Sequence, residues 1–173
     1  RIIDRVLADA RQRPGLANSA AVSLTERDFN TPLGAAVIRP GHAANGGDDA
    51  RLHADLIIGS NDMFRVLQLP IRFGRPFDDR DGASGSAVAV IGVALARELF
   101  GRDDATGLEL FVRDQRINGP ATDRPKALRV VGVTDDWATG AAGNAARTIY
   151  VPWAQDYTGE MAVIGTSKDA DGA

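Results

Sequence analysis

Val88-Ala89-Val90-Ile91-Gly92-Val93-Ala94-Leu95-Ala96-Arg97-Glu98-Leu99-Phe100-Gly101 carries the reading of the fold. Val88 to Ile91 is an unbroken apolar run of branched and small residues, as expected of a strand buried on both faces. The period then changes. Val93 to Phe100 reads as a short helix, and Gly101 stops it because glycine accepts the left-handed turn that closes a helix. A strand running straight into a helix excludes an all-β or all-α reading.

Upstream, His53 to Ile58 predicts a strand that ends at Gly59. Ser60 or Asn61 then caps a helix whose stripe is Met63, Phe64 and Leu67, stopped by Pro70. Ile71 and Phe73 alternate with Arg72 as a short strand, and Asp78 to Gly82 reads as an acidic, solvated turn. Nearer the start, Ile2, Ile3, Val6, Leu7 and Ala10 share one face of an opening helix that Pro14-Gly15 ends. Strands follow at Leu16 to Leu24 and Ala35 to Ile38, separated by a turn-rich stretch. Downstream, Leu108 to Val112 and Ala127 to Thr134 predict two strands of a hairpin. Thr148 to Val151, stopped by Pro152, and Met161 to Ile164 complete the set. Helices and strands mix without strict alternation, so the class is α+β.

Bulk properties narrow the function. The 173 residues carry a net charge of −3, the wrong sign for a partner made of phosphates, so nucleic acid is set aside. There is no cysteine, which excludes thiolate chemistry and a disulfide framework. The most apolar window, Ala87 to Ala96, is about half the ~20 residues that a membrane helix needs. A chain that opens directly on helical periodicity and stops just past a strand reads as a piece of a longer protein.

Three segments in series resemble the extracytoplasmic, periplasmic core domain of ABC-transporter permeases of the MacB/FtsX type. The first is Gly59-Ser60-Asn61-Asp62-Met63-Phe64-Arg65-Val66-Leu67, then Leu69-Pro70-Ile71, Gly74-Arg75-Pro76-Phe77 and Asp81. The second is Val88-Ala89-Val90-Ile91-Gly92 with Ala94 to Gly101, including Leu99 and Phe100, followed by Gly107 and Leu110. The third is Leu128-Arg129-Val130-Val131-Gly132-Val133, followed by Tyr150-Val151-Pro152-Trp153-Ala154-Gln155. Together they span residues 55–155 in the family's order. Departures are Ala105-Thr106 in place of the usual proline before Gly107, and a long polar connection at 113–126. The family's domain also continues past residue 173 with a further helix and strand.

The resemblance implies a porter-like α/β subdomain assembled from 1–58 and 154–173, with a β-rich subdomain, 59–153, inserted between them. It implies transmembrane helices of the same chain on both flanks and an ABC ATPase on the cytoplasmic side. A periplasmic adaptor or a second permease copy would be the outside partner. The domain would relay the ATP-driven motion of those helices to export or to activation of a partner, on the periplasmic face of the cytoplasmic membrane. It would hold no cofactor and no catalytic site. The transported substrate and the oligomeric state stay open.

The residues themselves agree with a non-enzymatic reading. His42 and His53 are the only histidines; without cysteines a zinc site would need carboxylates beside them, and both read as surface or strand-edge residues. The Asp78-Asp79-Arg80-Asp81-Gly82 turn lacks the alternating oxygens and terminal glutamate of a calcium loop. Ser60 and Ser84 lie outside any Gly-x-Ser-x-Gly context, and no P-loop occurs. Gly74-Arg75-Pro76-Phe77 reads first as a strand-end turn: glycine for a positive φ, proline for a fixed one, Phe77 for the core. Phe64, Asp81, Leu99, Phe100, Gly107, Gly132 and Pro152 read as further structural members of the motif. Trp137, Trp153 and Tyr157 follow strand ends, where aromatic side chains exposed together would mark a partner surface. The alternative function is a passive ligand-binding or protein-docking module outside the membrane, which calls for a preformed apolar pocket.

Overall fold

The computed structural model describes residues 2–13, 16, 18–23, 33–41, 51–113, 125–136, 147–156 and 161–165. They form α1 (Ile2–Arg11), β1 (Ser19–Ser23), β2 (Leu33–Ile38), β3 (Arg51–Gly59), α2 (Met63–Val66), β4 (Ile71–Gly74), a 3-10 turn (Asp79–Asp81), β5 (Val88–Gly92), α3 (Val93–Phe100), β6 (Glu109–Arg113), β7 (Lys126–Thr134), β8 (Thr148–Pro152) and β9 (Met161–Gly165). The α+β class expected from the sequence holds. No helix among the described residues is long and apolar enough to cross a membrane.

The strands run β2-β6-β7-β5-β8-β3-β1-β9, with β4 beside β7, and β2 also pairs with β3. That last pairing closes β2, β6, β7, β5, β8 and β3 into a ring. Six strands therefore make a barrel, which removes their hydrogen-bonding edges. The β5–β7 and β3–β8 pairs are parallel and the other pairs in the ring are antiparallel. Closure draws on both sides of residue 58, since β2 and β3 pair with β6 and β8.

Strand alternation fills the barrel. Val37, Leu56, Ile91, Leu110, Leu128 and Ile149 all belong to one buried cluster, which α3 joins through Leu95, Ala96 and Leu99. Every residue of β5 and β8 is buried, because their outer faces are covered too. Val88, Val90 and Tyr150 belong to a second cluster with Met63, Phe64, Val66 and Phe77. The two-sided burial expected of Val88 to Ile91 is thus a product of two cores.

The chain ends supply a separate ribbon. β1 and β9 pair antiparallel from Ser19↔Gly165 to Ser23↔Met161. Chain entering the ribbon at Ser19 and chain leaving it at Gly165 therefore lie side by side. The ribbon meets the barrel at a single ladder pair, Val22↔Gly59. Two hydrogen bonds reinforce it: the Ser60 N–H donates to the Ala21 carbonyl at 2.8 Å, and the Ala21 N–H donates to Ser60 Oγ at 3.1 Å. Arg11 pairs with Asp62 across the same boundary, and Arg65 donates to Asn18 Oδ1 at 2.7 Å. Ala20, Val22 and Ile164 add a small apolar contact to the second cluster.

Three local expectations change. Val6 is 46% exposed, while Leu7 and Ala10 are buried. Among the described strands α1 lies chiefly against β1, so the covered stripe is narrow and Val6 falls on its flank. The second helix is shorter than expected and lacks a side-chain cap at Asp62, its N-cap residue. Ser60, expected as a cap, instead bonds to β1. The chain leaves this helix through Gln68, at φ 54°, before Pro70 is reached.

Candidate functional site

The motif residues converge where β4 meets β7. Gly74 and Gly132 are cross-strand partners. Gly74 has φ 72°, the left-handed conformation expected for it. Gly132 serves a different purpose, because a Cβ there would stand 2.3 Å from the Arg75 carbonyl oxygen. A Cβ on Gly74 would likewise meet the Val131 carbonyl at 2.2 Å. Two glycines thus let two backbones touch, and the Arg75 N–H donates to the Val131 carbonyl at 3.0 Å.

That approach aims the Arg75 side chain at Asp81. Nη1 and Nη2 donate to the two carboxylate oxygens at 2.7 and 2.9 Å, a bidentate pair. Asp81 is 4% exposed, so the turn expected to be acidic and solvated hides its third carboxylate. The backbone explains this. Asp78 and Asp81 form a reciprocal capping box around the 3-10 turn, with the Asp78 N–H donating to Asp81 Oδ2 at 3.0 Å. Burial pushes the Asp81 carboxyl up, but the Arg75 and Asp78 hydrogen bonds and the Arg75 charge outweigh it, leaving the pKa below its ordinary value. Asp78, held by the side chain and backbone N–H of Arg80, is lowered to about 2.

Phe77 follows the same turn into the second core, where its ring lies 5.4 Å from that of Phe64. Phe64 in turn meets Tyr150 edge-on at 5.2 Å. The other motif residues also build the frame. Leu99 is buried in the barrel core, and Phe100 packs against it. Gly107 takes φ 85° and donates its N–H to the Val130 carbonyl at 2.8 Å. Pro152 pairs with Gly59, and Trp153 is half-buried against the barrel core with its N–H on the Gly59 carbonyl. Trp137 and Tyr157, proposed with Trp153 as a partner surface, lie outside the described residues, as does His42.

Gln155 was not singled out as a functional residue. Its Oε1 accepts from the Val88 N–H at 3.1 Å, and its Nε2 donates to the Ser86 carbonyl at 2.8 Å. It fastens the approach to β5 onto the turn after β8. Its place in the Pro152-Trp153-Ala154-Gln155 run was the available signal. Asp136 also holds a helix start: its Oδ1 accepts from the Ala94 N–H at 2.9 Å, in the first turn of α3.

His53 is exposed on β3, opposite Ala36. No group of three or more His, Cys, Asp or Glu side chains among the described residues could hold a metal ion. A groove of about 540 Å³ beside β4 is walled by Phe64, Leu69, Pro70, Ile71 and Pro76 and rimmed by the polar Asn61, Asp62, Arg65 and Gln68.

Comparison with known proteins agrees with this architecture. The family model of the MacB-like periplasmic core domain matches residues 4–171. No curated protein sequence matches the chain. The extracellular domain of the noncanonical ABC-type transporter YknZ from Gram-positive bacteria superposes with TM-score 0.61 at 17% identity, covering 97% of this chain and 74% of that one. The periplasmic region of MacB from Actinobacillus actinomycetemcomitans gives 0.55 at 14% identity, covering 96% and 82%. A permease-protein domain from Porphyromonas gingivalis gives 0.54 at 14%, covering 93% and 67%. At these identities the solved structures speak to the fold, while the family match spans nearly the whole chain. The chain belongs to the MacB-like periplasmic core domain family, the extracytoplasmic domains of ABC-transporter permease-type proteins.

Proposed function

We propose that this domain relays the motion of flanking membrane helices to the outside, without chemistry of its own. The observation that carries the reading is the Ser19↔Gly165 register. A domain that conveys displacement from two membrane helices needs both connections at one place, joined to each other and leading to a stiffer body. The β1–β9 ribbon holds the first and last described strands side by side, and the closed barrel offers the stiffer body. In this reading an ATPase domain or subunit works on the cytoplasmic side, and the outward output is export or activation of a partner, through an adaptor or a second permease copy. The domain itself holds no cofactor.

The test uses the full-length permease with its ATPase in lipid nanodiscs. Spin labels at Ser84→Cys on the barrel side and on a flanking membrane helix report their separation with and without ATP. Slack Gly/Ser linkers inserted at the junctions between the complete domain and its flanking membrane helices should abolish the ATP-driven change while hydrolysis continues. Retention of the distance change with slack linkers would overturn the relay.

The groove beside β4 favours a second reading, a docking module. A thermal-shift screen of the 173-residue chain against apolar ligands and peptides separates the two, since binding to the native state raises its stability.

A further inference from the structure

Among the described strands, the ladder between ribbon and barrel is the shortest. Within the barrel, neighbouring strands share ladders, and a single body results. Between ribbon and barrel there is one ladder pair, Val22↔Gly59, extended only through Ser60. Gly59 is firmly on the barrel side: it pairs with Pro152, and its carbonyl accepts from the Trp153 N–H at 3.0 Å. Ser60, next in the chain, is turned to the ribbon by its two hydrogen bonds with Ala21. Among the described residues, surface side chains add further ties, Arg11 with Asp62 and Arg65 with Asn18, and α2 lies against β1. The apolar contact behind them is made on the ribbon side by Ala20, Val22 and Ile164, of which Ala20 and Val22 are small.

We propose that this seam is a moving joint, at which the β1–β9 ribbon rotates as a unit against the barrel by releasing the Ala21–Ser60 hydrogen bonds. The proposal rests on the relay reading for its purpose but not for its existence. Alternation along β1 separates the joint from the ribbon's own ladder. Ala21 directs its N–H and carbonyl to Ser60, so Ala20 and Val22 direct theirs to β9. Rotation breaks the first set and spares the second. One of the two bonds uses the Ser60 hydroxyl in place of a backbone acceptor, so release frees three backbone groups, the Ser60 N–H and the Ala21 N–H and carbonyl. α2 touches both sides of the seam: it lies against β1, and its Met63 sits under Gly59, where a Cβ would meet Met63 Sδ at 2.3 Å.

Amide hydrogen exchange on the 173-residue chain tests the joint. The Ala21 and Ser60 amides should exchange about 100-fold faster than Leu56 and Val130 in the barrel, without dependence on low denaturant, as local openings do. They should also exchange faster than Ala20 and Val22. Equal exchange of Ala20, Ala21 and Val22 would mean the ribbon frays instead of rotating, and protection of Ala21 and Ser60 at the barrel's level would mean no joint; either result overturns the proposal. Exchange on the full-length permease, nucleotide-free against a non-hydrolysable ATP analogue, then separates the two ideas. Faster exchange at 19–23 and 59–62 with the analogue, and none at Val88–Ile91, ties the joint to the motor. A joint that opens in the isolated chain yet ignores nucleotide leaves this proposal standing and counts against the relay.

Discussion

The barrel and the ribbon are made of the same kind of strand and differ in what lies at their edges. In the barrel every strand has two partners and its inward side chains meet a common centre. In the ribbon β1 has β9 on one side and a single pair with β3 on the other. Closure makes the loss of one barrel contact a problem for the whole ring, whereas the ribbon's loss stays local. Stiffness here is a matter of topology more than of composition.

The comparison can be broken at several strengths. Ile149→Ala in the fully buried barrel core should cost about 4 kcal/mol by guanidinium denaturation, against about 1–2 kcal/mol for Val22→Ala in the ribbon. Similar losses at both sites would remove the distinction. Gly132→Ala should cost about 3 kcal/mol, since its Cβ meets a carbonyl held by backbone bonds and no flexible side chain can yield. A neutral result would show that β4 can lift off the barrel.

Arg75→Ala should cost about 2 kcal/mol at neutral pH, because a buried carboxylate loses its bidentate partner while keeping the Asp78 N–H. The deficit carries its own pH signature. In the parent, Asp81 titrates below its ordinary value, so its stabilising effect is present above the unfolded carboxylate pKa of about 4 and is lost as pH falls through the folded one. In the variant only burial and one hydrogen bond remain, Asp81 accepts a proton more readily, and the gap between the two proteins should narrow below about pH 4. Urea midpoints measured across pH 2–7 check this.

At the seam, Ser60→Ala should cost about 1 kcal/mol at most by the same denaturation, with its main effect on Ala21 exchange. The smallest effect belongs to Asp78. Its folded pKa of about 2 makes its contribution whole above about pH 4 and lost as the pH approaches 2, so Asp78→Asn should flatten the acid limb of the unfolding curve.

Much of this was legible before any coordinates. The buried run Val88 to Ile91, the short helix ended by Gly101 at φ 66°, and the left-handed Gly74 follow from local period and backbone sterics. So does the antiparallel pairing of β6 with β7. The Arg75–Asp81 pair was not read, although both residues were singled out, because an acidic run looks solvated unless its backbone is known to curl one carboxylate inward. Gly132 was noted without its reason, since the backbone it must admit is 57 positions away in the chain. Val6 looked like core because helical period identifies an apolar stripe but not how wide a surface will cover it.

Alternation, turn chemistry and the order of the three motif segments determined, from the sequence alone, which stretches become strands and helices and which family the chain resembles. Tertiary structure alone decided that β2 bridges β6 and β3 to close a ring, that the ribbon stays outside it, and that a single ladder pair connects them. The physical reason is that local preferences act over a few residues, whereas closure and its exclusions depend on contacts between segments far apart in the chain.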